Sequence, residues 1–261
     1  SGDTYVAWNW DMGGDSYGSS IPHALTVNGA VNHSTAQKKM GTTGILFDGT
    51  DDWINSPSVS SLGLDRDFTI ETWFYTSSNS RQTIIGGAPS IGLFLGFDQG
   101  TTDRNVGIYM SSNGSSWDII NADSGGDGVG STQLALDAWH HIAVVKNGTN
   151  LKTYLNGTVD INVTISGEIT QSTTAMRIGS YGTADYQLNG YLDEFRISNT
   201  ARYSSNFTPS TSAFSVDANT ALLIHSNTTN GSTAFIDSSG ADYNTDGDID
   251  SRVRANPTYG Q

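Results

Sequence analysis

The sequence predicts an all-β protein, a two-sheet antiparallel β-sandwich. Three observations carry that expectation. The 261 residues include 30 Gly, no Cys and only 15% charged residues, a composition suited to short strands joined by many turns. Period-two alternation is strong in residues 67–75, where Phe68, Ile70, Thr72 and Phe74 oppose Thr69, Glu71, Trp73 and Tyr75. Residues 136–165 read as a three-stranded meander, with turns at Asn147-Gly148 and Asn156-Gly157, residue types that tolerate positive φ.

Residues 1–20 are Gly- and Ser-rich around Tyr5-Val6-Ala7-Trp8-Asn9-Trp10 and form an N-terminal extension. Residues 23–27 predict a strand, Asn28-Gly29 a turn, and the following residues to Lys39 a polar stretch. Residues 40–47 open the sandwich proper, with Ile45 and Phe47 on one face. After the strand at 67–75, residues 83–86 and 91–97 form a pair, and 106–110 a further strand. Residues 111–116 are a loop, 117–121 a strand, and 125–130 a Gly-rich turn. That turn is not a phosphate loop, because no G-K-[ST] accompanies it.

In the meander, His141, Ala143 and Val145 share one face, and His140, Ile142 and Val144 the other. The return strand puts Leu151, Thr153 and Leu155 opposite Lys152 and Tyr154. Trp139 is expected to anchor the first strand in the core. Residues 175–180 and 187–197 predict two more strands, 199–207 a single helical turn, and 209–220 a connector. Residues 222–225, Leu-Leu-Ile-His, begin a tail punctuated by Asn230-Gly231 and Asp237-Ser238-Ser239-Gly240.

The formal net charge of −14 argues against nucleic acid, whose phosphates call for a basic surface, and against an anionic membrane. No apolar run approaches the ~20 residues of a membrane-spanning helix. Without Cys there is neither a disulfide framework nor a Cys-ligated zinc site. No charged-then-apolar leader opens the chain, so any export is expected to have preceded this form of it.

Five short signatures give the chain a resemblance. They are Phe47-Asp48-Gly49-Thr50-Asp51-Asp52-Trp53, Phe68–Phe74, the run Trp139-His140-His141-Ile142-Ala143-Val144-Val145 with its two Asn-Gly turns, Met176-Arg177-Ile178-Gly179, and Asn189-Gly190-Tyr191-Leu192-Asp193-Glu194-Phe195-Arg196-Ile197. Their order is similar to that of laminin-G-like (LamG, concanavalin A-like) jelly-roll domains. The resemblance implies a LamG-like jelly-roll over residues 21–210. The YVAWNW run resembles segments of marine bacteriophage structural proteins. Residues 211–261 resemble the start of a second repeat unit, since a Leu-Leu-His start precedes each repeat in that family. The other reading is an extension packed on the same domain.

The resemblance also implies a structural Ca²⁺ at the sandwich rim, where many such jelly-rolls pair an acid near the first core strand with an Asp in the last. Here Asp193 matches the last-strand position, and Asp48 the first. Asp51 and the Gly49 carbonyl stand beside them, with Asp52 in reserve. An alternative calcium loop is Asp242-x-Asn244-x-Asp246-Gly247-Asp248, whose side chains would converge oxygens on one ion. It lacks the bidentate acid at position twelve, where Val253 stands. Solvated turn carboxylates are the plainer account of both sets.

Catalysis by paired carboxylates needs two acids flanking a cleft. The only Glu residues are Glu71, Glu168 and Glu194, and the E-x-D-x-x-E run of laminarinase-like members of the fold is missing. His140 and His141 are adjacent on a strand and cannot chelate one ion together. The chain is therefore expected not to be an enzyme. For a sugar, the candidate ligand-binding residues are the loop aromatics Trp117, Tyr181 and Tyr186, with Trp53 behind them. Flat rings stack on apolar sugar faces and polar neighbours orient the hydroxyls.

The reading is a non-enzymatic extracellular or virion-surface structural and adhesion module, with a glycan or cell-surface receptor, or neighbouring copies in an array, as partner. One alternative is a carbohydrate-binding accessory domain of a secreted glycosidase. Another is a filament subunit whose terminal segments complete a neighbour's sheet.

Overall fold

The computed structural model describes residues 22–87, 93–97, 104–123, 126–181 and 186–240. The N-terminal extension to residue 20 and the Asp242–Asp248 loop lie outside these residues. Two antiparallel sheets pack face to face, and no helix occurs among the described residues.

The six-stranded sheet contains β1 (Thr26–Asn28), β4 (Trp53–Ser58), β6 (Gln82–Gly86), β7 (Leu93–Phe97), β8 (Val106–Met110) and β12 (Ala175–Ile178). The larger sheet contains β2 (Asn32–Ser34), β3 (Gly44–Asp48), β5 (Phe68–Tyr75), β9 (Trp139–Asn147), β10 (Asn150–Leu155), β11 (Thr158–Thr164), β13 (Asn189–Ser198) and β14 (Thr220–Ile224). The strand orders are β1-β4-β12-β6-β7-β8 and β11-β10-β9-β5-β13-β3-β2, with β14 also paired to β13.

Alternation decides which side chains meet between the sheets. Phe68, Ile70 and Phe74 of β5, Ile142 and Val144 of β9, Leu192, Phe195 and Ile197 of β13, and Ile45 and Phe47 of β3 form one face of the core. Ile54, Ile84, Ile108, Met176 and Ile178 from the other sheet close it. The opposite residues of β5 and β9 are buried as well. Ala143, Val145 and Tyr154 pack with Tyr203 and Phe207, while Trp73 packs with Phe214 and Leu223. Residues 199–219 therefore lie as a strap over the outer face of the larger sheet.

The strap corrects the expected helical turn at 199–207, which is irregular. Its polar groups are spent across the sheet instead. Thr69 Oγ1 donates to the Thr200 carbonyl and accepts from the Arg202 amide, the Phe207 amide donates to Gly157 O, and the Tyr203 and Phe207 rings stack at 3.6 Å. Residues 117–121 are likewise not a strand: only Ile120 bridges to Met110.

The turn between β9 and β10 falls one residue later than the sequence suggests. Asn147 pairs with Asn150 across Gly148 and Thr149. The second turn has Asn156 and Gly157 both at positive φ, as expected. A side chain at Gly157 would meet the Phe207 carbonyl, so this glycine also lets the strap approach. Trp139 is only half-buried and packs on the strap-side cluster rather than between the sheets.

The tail after β14 runs back along β2. The His33 amide donates to Ser232 O and the Gly231 amide to His33 O. The buried His33 ring stacks on Phe235 at 4.2 Å. Burial holds the His33 pKa below its usual value, against a hydrogen bond to the Ala234 carbonyl.

Candidate functional site

Trp117, Tyr181 and Tyr186, far apart in sequence, come together beside the edge of the six-stranded sheet. They line a cleft of about 180 Å³ with Arg81, Tyr109 and Asp123. Tyr109 is directed there by alternation: Ile108 and Met110 enter the core, so the residue between them faces out. Its ring lies 5.4 Å from Trp117, Trp117 lies 6.2 Å from Tyr181, and Tyr181 lies 6.1 Å from Tyr186, all tilted. Tyr186 is 39% exposed and has a left-handed backbone, φ 52°, uncommon for a bulky residue. Its carbonyl accepts the Thr83 amide at 2.8 Å, which ties the ring's backbone to β6.

A polar relay crosses the cleft floor. Arg81 Nη2 donates to Tyr109 Oη at 2.9 Å, and that hydroxyl donates to Asp123 Oδ1 at 3.2 Å. The Arg81 guanidinium also lies 4.2 Å from the Tyr186 ring centre, a cation–π distance. The cleft thus combines tilted rings with one cationic and one anionic hydrogen-bonding group. Arg81, Tyr109 and Asp123 were not singled out from sequence. For Tyr109 the alternation of VGIYM was a usable signal, and for the other two there was none. A hollow of about 250 Å³ on the other side of Trp117 is lined by Asp118, Asn121 and Asp127 among others. It lacks a ring array, and the Asp118 carboxylate already accepts from the Ser112 amide and hydroxyl.

The acidic rim set divides. Asp48, Asp51 and Asp52 cluster in the turn after β3, with ligand atoms all within 4.8 Å of one another. Gly49 lies in this turn with φ 84°. Asp52 is fully buried; it accepts the Ala30 amide on Oδ1 and the Asp48 amide on Oδ2. Burial raises its pKa, the two backbone bonds oppose this, and the neighbouring carboxylates add to the rise. Gly29, at φ 71°, lets the chain pass this turn where a Cβ would strike Asp51 and Asp52.

Asp193 is not part of that cluster. Asn189 is the β13 residue paired with Asp48, so Asp193 lies four residues along, about 13 Å at strand spacing. It is 1% exposed, and its Oδ2 accepts the Lys39 and Met40 amides. Desolvation, with Glu194 adding to it, pushes its pKa to about 7 despite those bonds.

Beyond Asp193 the strand bulges. The β13–β5 register shifts between Asp193 and Arg196, and Glu194 takes φ 52°. The extra residue brings Glu194 onto the outer face beside Asp193 and sets Arg196 there too, toward the strap. There Arg196 donates through Nε and Nη2 to Glu71 Oε1 at 2.9 and 2.6 Å, and Tyr203 Oη donates to Glu71 Oε2 at 2.8 Å. His141 Nε2 lies 3.2 Å from the same carboxylate, off hydrogen-bond alignment. Burial opposes ionisation of Glu71, but the His141 imidazole and Arg196 guanidinium outweigh it and hold the pKa below the usual value. Glu194 accepts the Phe214 amide and contacts His225 Nδ1. His140 sits on the other face, bonded to Ala135 O and Asn156.

The sequence model described as the concanavalin A-like lectin/glucanases superfamily matches residues 48–208, more than half of the chain. No curated protein matches the sequence. Among solved structures, a Bacteroides ovatus protein provisionally assigned to carbohydrate binding superposes with TM-score 0.50 at 14% identity, covering 78% of this chain and 51% of that one. Domain 4 of an extracellular arabinanase from Geobacillus stearothermophilus, solved with arabinotriose, gives 0.49 at 17% identity, covering 72% and 85%. Domains LG4-5 of the mouse laminin α1 chain give 0.44 at 14%, covering 64% and 47%. At these identities the likeness is one of fold.

Proposed function

The chain belongs to the concanavalin A-like lectin/glucanases superfamily, and from that premise we propose that it is a non-catalytic glycan-binding module. The single observation behind this reading is the ring-lined cleft. Trp117, Tyr181 and Tyr186 offer apolar faces for the C–H face of a sugar ring, and Arg81 and Asp123 offer a donor and an acceptor for its hydroxyls. The cleft is small for a ligand pocket, so it would hold a ring or two of a longer glycan. We place the module outside the cell, on a virion or as the accessory domain of a secreted glycosidase.

Among the described residues, one set of donors fits the bound Ca²⁺ that the family resemblance implies. Asp48, Asp51 and Asp52 supply hard oxygens within reach of one another, the chemistry Ca²⁺ requires. The ion would neutralise their mutual repulsion and fix the turn. Asp48 and Asp51, both exposed, are the freer ligands, because backbone amides already occupy Asp52.

The test is calorimetric titration across a glycan panel with Trp117→Ala, Tyr186→Ala and Asp123→Asn. Loss of a central aromatic contact is expected to weaken binding roughly tenfold or more, with an unchanged melting temperature for Tyr186→Ala. Binding that survives both ring deletions would defeat the proposal, as would a panel with no binder at millimolar sugar.

A further inference from the structure

Six Asn-Gly pairs punctuate the sequence, and all six lie among the described residues. The pair is chemically labile, because glycine leaves its own amide nitrogen unshielded beside the preceding side-chain amide. Five of the six are restrained. Asn28 Nδ2 donates to the Asp51 carbonyl. Asn230 Oδ1 accepts the Thr35 amide, while the Gly231 amide donates to His33 O. Asn113 Oδ1 takes the Ser115 and Ser116 amides, and the Gly114 amide donates to Ser111 Oγ. Asn156 Oδ1 accepts the His141 amide. Asn189 is fixed in β13, its amide donating to Gln82 Oε1 and its carbonyl accepting from Thr76 Oγ1.

Asn147 differs from these five. Asn147, Gly148 and Thr149 are all exposed at the tip of the β9–β10 hairpin. Among the described residues, no hydrogen bond holds the Asn147 side chain. Gly148 takes φ 56°, and nothing lies within 4 Å of where a Cβ would stand. Its amide donates to Asp67 Oδ1 at 2.6 Å, a short bond of the charge-assisted kind. The ladder puts the carboxylate there: Phe68 pairs with Lys146 in antiparallel register, so Asp67 stands one step beyond, opposite Asn147. The other charges nearby are its chain neighbours Asp65 and Arg66, and Lys146, whose Nζ pairs with Glu168 at 3.4 Å. A free side-chain amide, an unshielded nitrogen and a carboxylate on that nitrogen's proton therefore meet at one turn.

We propose that Asn147 is a self-modification site, converted to aspartate and isoaspartate with water as co-reactant and Asp67 as general base. The Gly148 nitrogen attacks Cγ of Asn147, and its proton passes to Asp67 Oδ1. The new N–Cγ bond closes a succinimide ring as the Cγ–Nδ2 bond breaks, and the proton leaves with the nitrogen as ammonia. Water then opens the ring at either carbonyl, giving aspartate or isoaspartate at this position. Nothing is oxidised or reduced. A nucleophile in the same chain needs no encounter, and a base on its proton strengthens a weak amide nucleophile. Each event adds one negative charge beside Asp67, and the isoaspartate product also adds a methylene to the backbone of the turn. The new charge repels Asp67, so the Gly148–Asp67 bond weakens and the hairpin tip loosens. The result is a one-way charge switch at the end of β9 and β10.

The experiment incubates the full chain in heavy-oxygen water at neutral pH, digests it in ordinary water and maps the peptides by mass. Label then marks conversion in the intact protein. It is expected at Asn147 about tenfold sooner than at the other five pairs, with isoaspartate among the products. Asp67→Asn slows the conversion about tenfold or more. In that variant the rate climbs in proportion to hydroxide between about pH 6 and 8, whereas the parent's rises less steeply, a difference that a purely structural role for Asp67 would not produce. Asn147→Gln stays unlabelled at this position over the same time, with an unchanged melting temperature. An Asn147 still unlabelled after months, or another pair labelled as fast, would overturn the site. A rate in Asp67→Asn equal to or above the parent's would overturn the base and make Asp67 a clamp on the turn instead.

Discussion

Replacing Glu71 with Gln tests the buried hub beneath the strap. Glu71 is 1% exposed, and its two oxygens take both Arg196 donors and the Tyr203 hydroxyl. The substitution keeps the shape and removes the charge, leaving Arg196, 7% exposed, as an uncompensated cation. Breaking a buried pair from one side costs about 3–5 kcal/mol. For a chain of this size 1 kcal/mol moves Tm by about 2–4 °C, so Glu71→Gln should melt about 6–20 °C lower in differential scanning calorimetry at pH 7. The sign with pH follows from the lowered Glu71 pKa. Its stabilisation is complete above the unfolded value, about 4.3, and is lost as pH falls through the folded one, so the gap between variant and parent should close in acid. Because the cost comes from the buried cation left unpaired, adding Arg196→Met to Glu71→Gln should recover part of the loss. A single variant melting within about 2 °C of the parent at pH 7 would refute the hub's role.

Asp193 should behave in the opposite sense. Its pKa is raised to about 7, so its favourable contribution is complete below the unfolded value near 3.9 and fades as pH rises to about 7; Asp193→Asn should raise Tm at pH 8 and do little at pH 4, and a lower Tm at pH 8 would contradict the assignment. For the acidic turn, chelated protein should gain thermal stability in millimolar Ca²⁺, by about 2.7 kcal/mol at a hundredfold excess over Kd. Asp51→Asn should abolish that gain and Asp193→Ala should spare it; a gain lost only in Asp193→Ala would return the ion to β13.

Much of the sandwich was legible because alternation is a local property. Phe68–Tyr75 and the meander sort their faces residue by residue, and both Asn-Gly pairs announce turns. Elements settled by distant partners were not legible. β2 is the polar run Asn32–Ser34 and is a strand because β3 and the tail pair with it on either side. The strap carries no periodic signal, since its order comes from Tyr203, Phe207 and Phe214 seating chiefly on residues more than forty positions upstream. The bulge at Glu194 was equally hidden. LDEFRIS reads as an unbroken strand, and only the register against β5 shows the extra residue that brings Glu194 onto the outer face; Asp193 is kept from Asp48 by the pairing of Asn189 with Asp48. For the cleft, Trp117, Tyr181 and Tyr186 could be chosen as loop aromatics, but Arg81 and Asp123 join them only through tertiary proximity.

The two sheets differ in what they leave open, and this bears on where a ligand can act. On the larger sheet the outer face holds Glu71, His141, Arg196 and Glu194, a set that in an open groove would suit acid–base chemistry. Here the strap seals it. Glu71 is neutralised by Arg196, and Glu194 is taken up by the Phe214 amide and His225. Those charges work on the strap, pinning Tyr203 and Phe214 over the strands. On the smaller sheet the polar groups Arg81, Asp123, Asn55 and Arg177 lie on or beside the outer face with half-exposed rings among them. A glycan needs such a surface, with polar groups satisfied well enough to hold their places and rings exposed enough to stack. The order of strands brings Arg81 and Tyr109 together, because they meet only when β6, β7 and β8 stand side by side.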